Sequence, residues 1–379
     1  NQKSLLAQPL YDRPNLVGTV FSRFGNLPNT VTLSLSSLSM ADVIDYDPPN
    51  QVITVGTGLS LAALQEHLKA NNQWLPVRPP FFSDGATIGS LVALAACGPE
   101  RMAYGSPRDF LLGLRYINSK GVLVTAGGRV VKNVAGYDMT RLLTGSAGTL
   151  GFISEATWRV STVPERCAAI TAVGSLDDCS ATALKIVQSI LSPIYVTCLP
   201  ADPPTTGTIS GGWKIVVGFE GFSQTVDYQL EKCGALLETN GLHSPEKSDY
   251  PLHDGKFEDV FGEMAQAPFI LRADFPLDRV AGFIGTLDDR PVGPGAFLDF
   301  GCGRVLAGLD DVSDEDWVHL CEKINQHDGH GMLVKAPGNF KKRNDVFGKP
   351  RPEWNVMHRI KAAMDPDNIF SPGCLPGRV

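Results

Sequence analysis

The sequence contains no CxxC pair and no cysteine-rich run. Its eight cysteines are scattered, and the nearest two, Cys167 and Cys179, stand 12 positions apart. An iron–sulfur cluster or a structural zinc needs closely spaced thiolates, so neither is written into this chain. Scattered cysteine in a chain of 379 residues reads instead as buried, reduced thiol. Clusters of Lys and Arg are also missing, which excludes a nucleic-acid footprint. The 33 basic and 40 acidic residues leave a mildly acidic net charge of −7. No apolar run near the motifs exceeds Ser90–Cys97, far short of the about 20 residues that span a membrane. No stretch reads as a signal peptide, and the expected location is cytoplasmic.

The common catalytic and nucleotide fingerprints are missing too. Gly56-x-Gly58 is followed by Leu61 where a dinucleotide-binding turn needs a third glycine. No GxxxxGK[ST] loop occurs, and no Ser-His-Asp or Cys-His arrangement is detectable. His327-Asp328-Gly329-His330 pairs two imidazoles without a nearby third ligand, so no metal is expected. What the chain has in excess is Gly and Pro, 39 and 27 residues, or about 17% against a usual 12% or so. Tight turns and close backbone approaches follow. An apolar content of 43% supplies a sizeable core, and the length predicts two or three domains.

Residues 1–29 are broken by Pro9, Pro14, Gly18, Gly25 and Pro28. Strands are expected at Val31–Leu35 and Val52–Val55, with Asp47-Pro48-Pro49-Asn50 as a turn. Leu61, Leu64 and Leu68 recur at helical spacing, predicting a helix over Ser60–Asn71 capped by Ser60. Leu114–Ile117 and Val122–Thr125 read as a hairpin, and Phe152–Val160 as a strand. After a boundary at Val163-Pro164-Glu165 the pattern restarts. Helices are expected at Ser180–Leu191, Ser223–Leu237 and Trp354–Met364, and strands at Lys214–Phe219, Ile270–Ala273, Phe297–Asp299 and Arg304–Leu306.

Chemistry concentrates between Asp84 and Ile153, where four glycine-rich loops follow one another. Glycines at loop–helix junctions let backbone N–H groups approach a phosphate. Thr87 opens an apolar helix over Ile88–Cys97 as both a cap and a phosphate donor. One such loop would serve a turn; four within about seventy residues point to a large phosphate-bearing ligand.

Four strings make the pattern specific: "DYDPPNQVITVGTGLSLAALQEHL", "LPVRPPFFSDGATIGSLVA", "YGSPRDFLLGLR" and "GGRVVKNVAGYDMTRLLTGSAGTLGFISEATWRV". Asp45–Pro164 thereby resembles the flavin-binding domain of the vanillyl-alcohol-oxidase/PCMH superfamily. Within that superfamily, the chain resembles the family of FAD-binding E subunits of glycolate oxidase. Weaker similarity continues through "VVGFEGFSQTVDYQLEKCGALL" to "MHRIKAAMDPDNIFSPGCL".

The resemblance implies an α+β fold. It places a PCMH-type FAD-binding domain with a shortened N-terminal subdomain at 1–163, an α+β cap with an antiparallel sheet at 164–330, and a tail at 331–379 that returns to the FAD domain. It implies FAD at Ala86, Thr87, Ile88 and Gly89 (pyrophosphate), at Gly98, Tyr104, Gly105 and Ser106 (ribityl chain and ring), and at Gly148, Leu150, Gly151 and Ile153 (adenosine end). Arg108 and Asp109 would support the second loop. Lys132, Asn133 and His358 are the candidates for catalytic roles, with Lys132 and His358 weighed against a solvated surface position. Arg129 shares that ambiguity, and Tyr137 and Asp138 are expected to anchor their loop.

Three departures stand out. Only Gly18–Gly25 is left where the family has a Gly/Ser-rich clasp on the pyrophosphate, Ser90 replaces a glycine, and Ser371-Pro372-Gly373-Cys374 replaces Asn-Pro-Gly-Arg. The implied activity is oxidation of a small 2-hydroxy acid, glycolate to glyoxylate, beside a second flavoprotein subunit. Electrons would leave to an iron–sulfur subunit, and membrane contact would come only through partners. A stand-alone D-2-hydroxy-acid dehydrogenase of the D-lactate type and a structural subunit without FAD are the alternatives.

Overall fold

Val43–Asp47 and Val52–Gly56 are rich in β-branched side chains, and a Pro-Pro turn joins them. In the computed structural model they form an antiparallel hairpin, β1 and β2. The structure describes residues 26, 35–81, 85–129, 136–201, 212–250, 252, 257–286 and 292–378. The expected strand at Val31–Leu35 lies outside these residues except for Leu35, which is in no strand. The chain divides into two units. The first takes Asn1–Cys97, Gly105–Thr162 and Gly338–Val379, and the second Gly98–Tyr104 and Val163–Pro337.

In the first unit, β3 (Gln73–Trp74), β4 (Leu111–Ile117), β5 (Leu123–Gly127), β6 (Phe152–Arg159) and β7 (Ser161–Thr162) join the hairpin. The main sheet runs β1-β2-β6-β4-β5, and β3 pairs separately with β7. The predicted helix is present as Leu61–Lys69, with the Ser60 hydroxyl accepting from Ala63 N, and it buries Leu64 and Leu68. A second helix, Ile88–Leu94, buries Ile88, Leu91 and Val92 before Ala95 turns left-handed and ends it. That end comes earlier than the expected Cys97. Gly56 and Gly58 serve neither phosphate nor cofactor here. A Cβ at Gly56 would lie 2.2 Å from the Met40 carbonyl oxygen, and one at Gly58 1.9 Å from that of Ser37. The glycines exist because another backbone segment crosses them.

The second unit is built on eight antiparallel strands in the order β11-β8-β10-β9-β13-β14-β12-β15. These are β8 (Arg166–Gly174), β9 (Tyr195–Pro200), β10 (Trp213–Gly221), β11 (His243–Asp249), β12 (Phe269–Asp274), β13 (Val292–Asp299), β14 (Arg304–Leu309) and β15 (His330–Lys335). Ala168, Ile170 and Ala172 of β8 are fully buried, and the helix Ser223–Thr239 packs over this strand. Four strands, β8, β9, β11 and β15, were not expected from the sequence. β9 is buried along nearly its whole length and β8 over the run Cys167–Ile170, so neither alternates, and β11 is too polar to stand out. The helix expected at Ser180–Leu191 runs instead over Leu176–Val187, because the Ser175 hydroxyl caps it by accepting from Asp178 N. The helix Asp314–Gln326, closed by a Ser313 capping box, was also missed.

One buried carboxylate in this unit makes a pH-dependent contribution. Asp299 is 2% exposed, and burial pushes its carboxyl up to about 6 although Cys302 and Arg304 pull it down. Its oxygens accept from Gly301 N at 2.8 Å and from the Cys302 thiol at 2.9 Å. Because the folded value lies above the unfolded one, the folded state holds the extra proton. Stability is therefore lost as pH rises from about 4 to 6, by up to about 3 kcal/mol, and stays lost above that window. Asp299→Asn keeps an acceptor for Gly301 and removes the charge. Its melting temperature relative to the wild type should rise steadily between pH 4 and 6.5. Parallel pH profiles for the two proteins would refute the assignment.

Candidate functional site

Thr87 and Ser90 close a reciprocal capping box at the start of the helix Ile88–Leu94. Ser90 N donates to the Thr87 hydroxyl at 3.2 Å, and Thr87 N donates to the Ser90 hydroxyl at 3.1 Å. The serine that departs from the family pattern thus has a local structural use. Ile88 N donates to Leu59 O and Gly89 N to Thr57 O. The amides of residues 87–90 are therefore all engaged within the protein. What this helix end offers an anion is its electrostatic field and the neighbourhood of Gly85 and Ala86.

A second loop behaves differently. After the short helix Met139–Leu143, capped by Asp138 as expected of a loop anchor, the chain turns through Gly145 (φ 83°), Ala147 (φ 52°) and Gly148 (φ 68°). Gly145 N donates to Val92 O and Ala147 N to Ala93 O, which hangs this loop on the end of the helix Ile88–Leu94. A Cβ at Gly148 or at Gly85 would meet nothing within 4 Å, and one at Gly145 would meet only the Ala95 methyl at 3.5 Å. The Ser146 hydroxyl is buried without a hydrogen-bond partner among the described residues. Buried polar atoms are nearly always satisfied, so an orphan hydroxyl beside an open glycine cradle fits a ligand that completes it. Open space at Gly148 and an unpartnered hydroxyl at Ser146 are compatible with a bulky polar group at this loop. Ser146 itself escaped sequence reasoning, since a serine inside a glycine-rich string carries no signal until its partners are known.

The remaining expected residues separate. Leu150 and Ile153 are buried, and the Ile153 carbonyl accepts from the Thr57 hydroxyl at 2.8 Å. Gly151 is required by packing, because a Cβ there would lie 2.8 Å from the Tyr116 ring. Gly105 and Ser106 open a short helix, Pro107–Phe110, where Asp109 accepts from both Ser106 N and the Ser106 hydroxyl. Burial pushes the Asp109 carboxyl up, but these two bonds hold it below the usual range. Gly98 and Tyr104 belong to the second unit, where the Tyr104 hydroxyl donates to Glu220 at 2.8 Å.

Lys132 and Asn133 lie outside the described residues. Arg129 forms an ion pair with Asp45, and Tyr137 is 94% exposed, so its ring anchors nothing. His358 places Nε2 at 2.7 Å from the Pro376 carbonyl, where it can only donate, and thereby clamps the C-terminal turn. Asn26 and Asp345 tie the same tail. Asn26 donates to Leu375 O and to Asp345, and Asp345 accepts from Gly377 N.

Comparison with known proteins gives this geometry a family. Residues 16–127 match the FAD binding domain family, and residues 343–375 match the C-terminal domain of FAD linked oxidases. Glycolate oxidase subunit GlcE of Escherichia coli is 37% identical over 334 residues, covering 87% of this chain and 83% of that one. This chain belongs to the GlcE family of FAD-binding oxidase subunits. Its wider relatives include a mitochondrial D-lactate dehydrogenase [cytochrome] from Arabidopsis thaliana, 32% identical over 85% of this chain and 62% of the plant protein. Among solved structures, alkyldihydroxyacetonephosphate synthase superposes with a TM-score of 0.59 at 17% identity. That match covers 88% of this chain and 66% of the other, just under two thirds, and shows a shared fold. Membership makes the chain an FAD-linked oxidoreductase. Among the described residues, no helix is long and apolar enough to cross a membrane.

Proposed function

We propose that this chain is the E-type flavin subunit of a complex that oxidises glycolate to glyoxylate. The likeness to GlcE along most of both chains carries this reading, and the orphan Ser146 hydroxyl in its glycine cradle supports it. When bound, FAD supplies a two-electron acceptor for the alcohol carbon. The chain's own part is positional. Gly145–Gly148, with Leu150, Gly151 and Ile153 beneath, would hold the adenosine end, and the Ser146 hydroxyl would gain its missing partner there. Ala86, Thr87, Ile88 and Gly89 would face the pyrophosphate with Gly85, through the field of the capped helix more than through its engaged amides. Gly98, Tyr104, Gly105 and Ser106 stay in this reading as the border of the ribityl chain and ring, and Lys132 and Asn133 as groups at its mouth. The domain limits 1–163, 164–330 and 331–379 belong to the same reading.

A 2-hydroxy acid gives up two electrons and two protons in this oxidation, and they must go on to a carrier. The eight cysteines here are free and dispersed, so an iron–sulfur carrier would be another polypeptide. A second flavoprotein subunit would complete the assembly, placed in the cytoplasm and reaching a membrane only through its partners. The D-lactate dehydrogenase relatives favour one other reading, a dehydrogenase of D-2-hydroxy acids that works alone.

Visible absorption of the purified chain, before and after FAD is added, separates these readings. Flavin bands that stay with the protein through gel filtration, and that bleach with glycolate only when partner subunits are present, are expected. Bleaching by D-lactate or glycolate in the chain alone would replace the subunit reading with the stand-alone enzyme. A chain that never takes up flavin would refute both and leave a structural subunit.

A further inference from the structure

The C-terminal segment buries a cation that the proposed function does not use. Lys361 and Asp365 are 2% and 1% exposed and form an ion pair at i, i+4, where the helix Pro352–Met364 ends. Lys361 Nζ also donates to Phe370 O at 2.7 Å and to Thr149 O at 2.9 Å, so all three of its N–H groups are engaged. Asp365 accepts from Ile369 N at 3.0 Å and Phe370 N at 2.8 Å. Burial pushes its carboxyl up, and Lys361 with the two amides more than offsets this and holds it below the usual range. Nearby, the Ser371 hydroxyl donates to Gly148 O at 3.4 Å.

A buried ion pair adds little net stability, because desolvation offsets most of its Coulomb attraction. Where this pair sits is more informative than its strength. Thr149 follows directly on the open loop, and that loop contains two glycines and a left-handed alanine. Such a backbone has much conformational freedom to lose when it is ordered. Unless the fold has already fixed it, a ligand must do so at the expense of affinity.

We propose that Lys361 is a positioning residue for the cofactor site, holding the Gly145–Gly148 loop in its open conformation through the Thr149 carbonyl. This inference rests on the assignment of that loop to the adenosine end of FAD. The three donors of Lys361 join the tail turn, the Asp365 carboxylate and the loop at one point, which gives the buried lysine its use.

The test compares wild type, Lys361→Met and the double variant Lys361→Met/Asp365→Asn. The single variant leaves Asp365 buried and unpaired, so a large fall in melting temperature is expected from it. The double variant removes that charge and keeps an acceptor for one of the two tail amides, so its melting temperature should recover most of the loss. The bond to Thr149 is still missing. FAD binding in the double variant should therefore stay at least tenfold weaker than in wild type. Amide exchange at residues 145–149 of the FAD-free chain should also be faster. A double variant that matches wild type in both FAD affinity and exchange would make Lys361 a purely structural residue and overturn the proposal. Faster exchange with unchanged FAD affinity would overturn its cofactor part. A wild-type chain that takes up no FAD would overturn the loop assignment and the proposal together, a result distinct from failure of the variants alone.

Discussion

Gly148→Arg is expected to abolish FAD retention while leaving the antiparallel-sheet unit folded. Gly148 sits at φ 68°, where an L-residue costs about 1–2 kcal/mol, and the space beside its Cα is empty within 4 Å. Among the described residues no atom lies within 4 Å of a Cβ placed there, and the loop is partly exposed, so the fold should tolerate the substitution at that modest cost. In the proposed site, that same space is where the cofactor would lie. A long cationic side chain there should weaken FAD binding at least a hundredfold, about 2.7 kcal/mol. Equilibrium dialysis against FAD measures the loss, and hydrogen exchange over β8–β10 checks the second unit. Wild-type flavin content in this variant would move the adenosine end away from the loop.

Gly58→Ala should have the opposite signature. Its Cβ would lie 1.9 Å from the Ser37 carbonyl oxygen and 2.9 Å from the Leu38 Cα, both backbone atoms that cannot rotate away. Gly58 N also donates to Met40 O, so the crossing segment would lose a bond as it moved off. Overpacking of this kind costs up to about 3 kcal/mol. In a domain of this size that lowers the melting temperature by about 6–12 °C. Flavin lost by this variant should return on cooling, because the lesion is in stability and no cofactor atom is touched. A melting temperature within about 2 °C of wild type would mean that residues 37–40 run elsewhere.

These two glycines also show where sequence reasoning stopped. Along the sequence, Gly56-x-Gly58 fails as a dinucleotide turn and is left without a use, while Gly145–Gly148 counts among the loops suited to a phosphate-bearing ligand. The structure separates them by what occupies the missing Cβ position. Backbone fills it at Gly56 and Gly58, and no described residue fills it at Gly148. No local pattern shows why residues 56 and 58 must be glycine, because the segment that closes over them comes from residues 37–40 and that context is tertiary.

By itself, the sequence determined the family, through strings too long to recur by chance. It also determined the local elements whose signals are local: the Ser60 cap, the β4–β5 hairpin, and the helices at Leu61–Lys69 and Ser223–Thr239. Hydrophobic periodicity and capping side chains act within a few residues of themselves, so they can be read along the chain. Only the tertiary structure decided which strands form the eight-stranded sheet, because strands buried on both faces lose their alternation. It alone brought Lys361 to Thr149, 212 positions away, and left Ser146 without a partner among the described residues. Such long-range hydrogen bonds depend on how the chain closes on itself, and no local pattern records that.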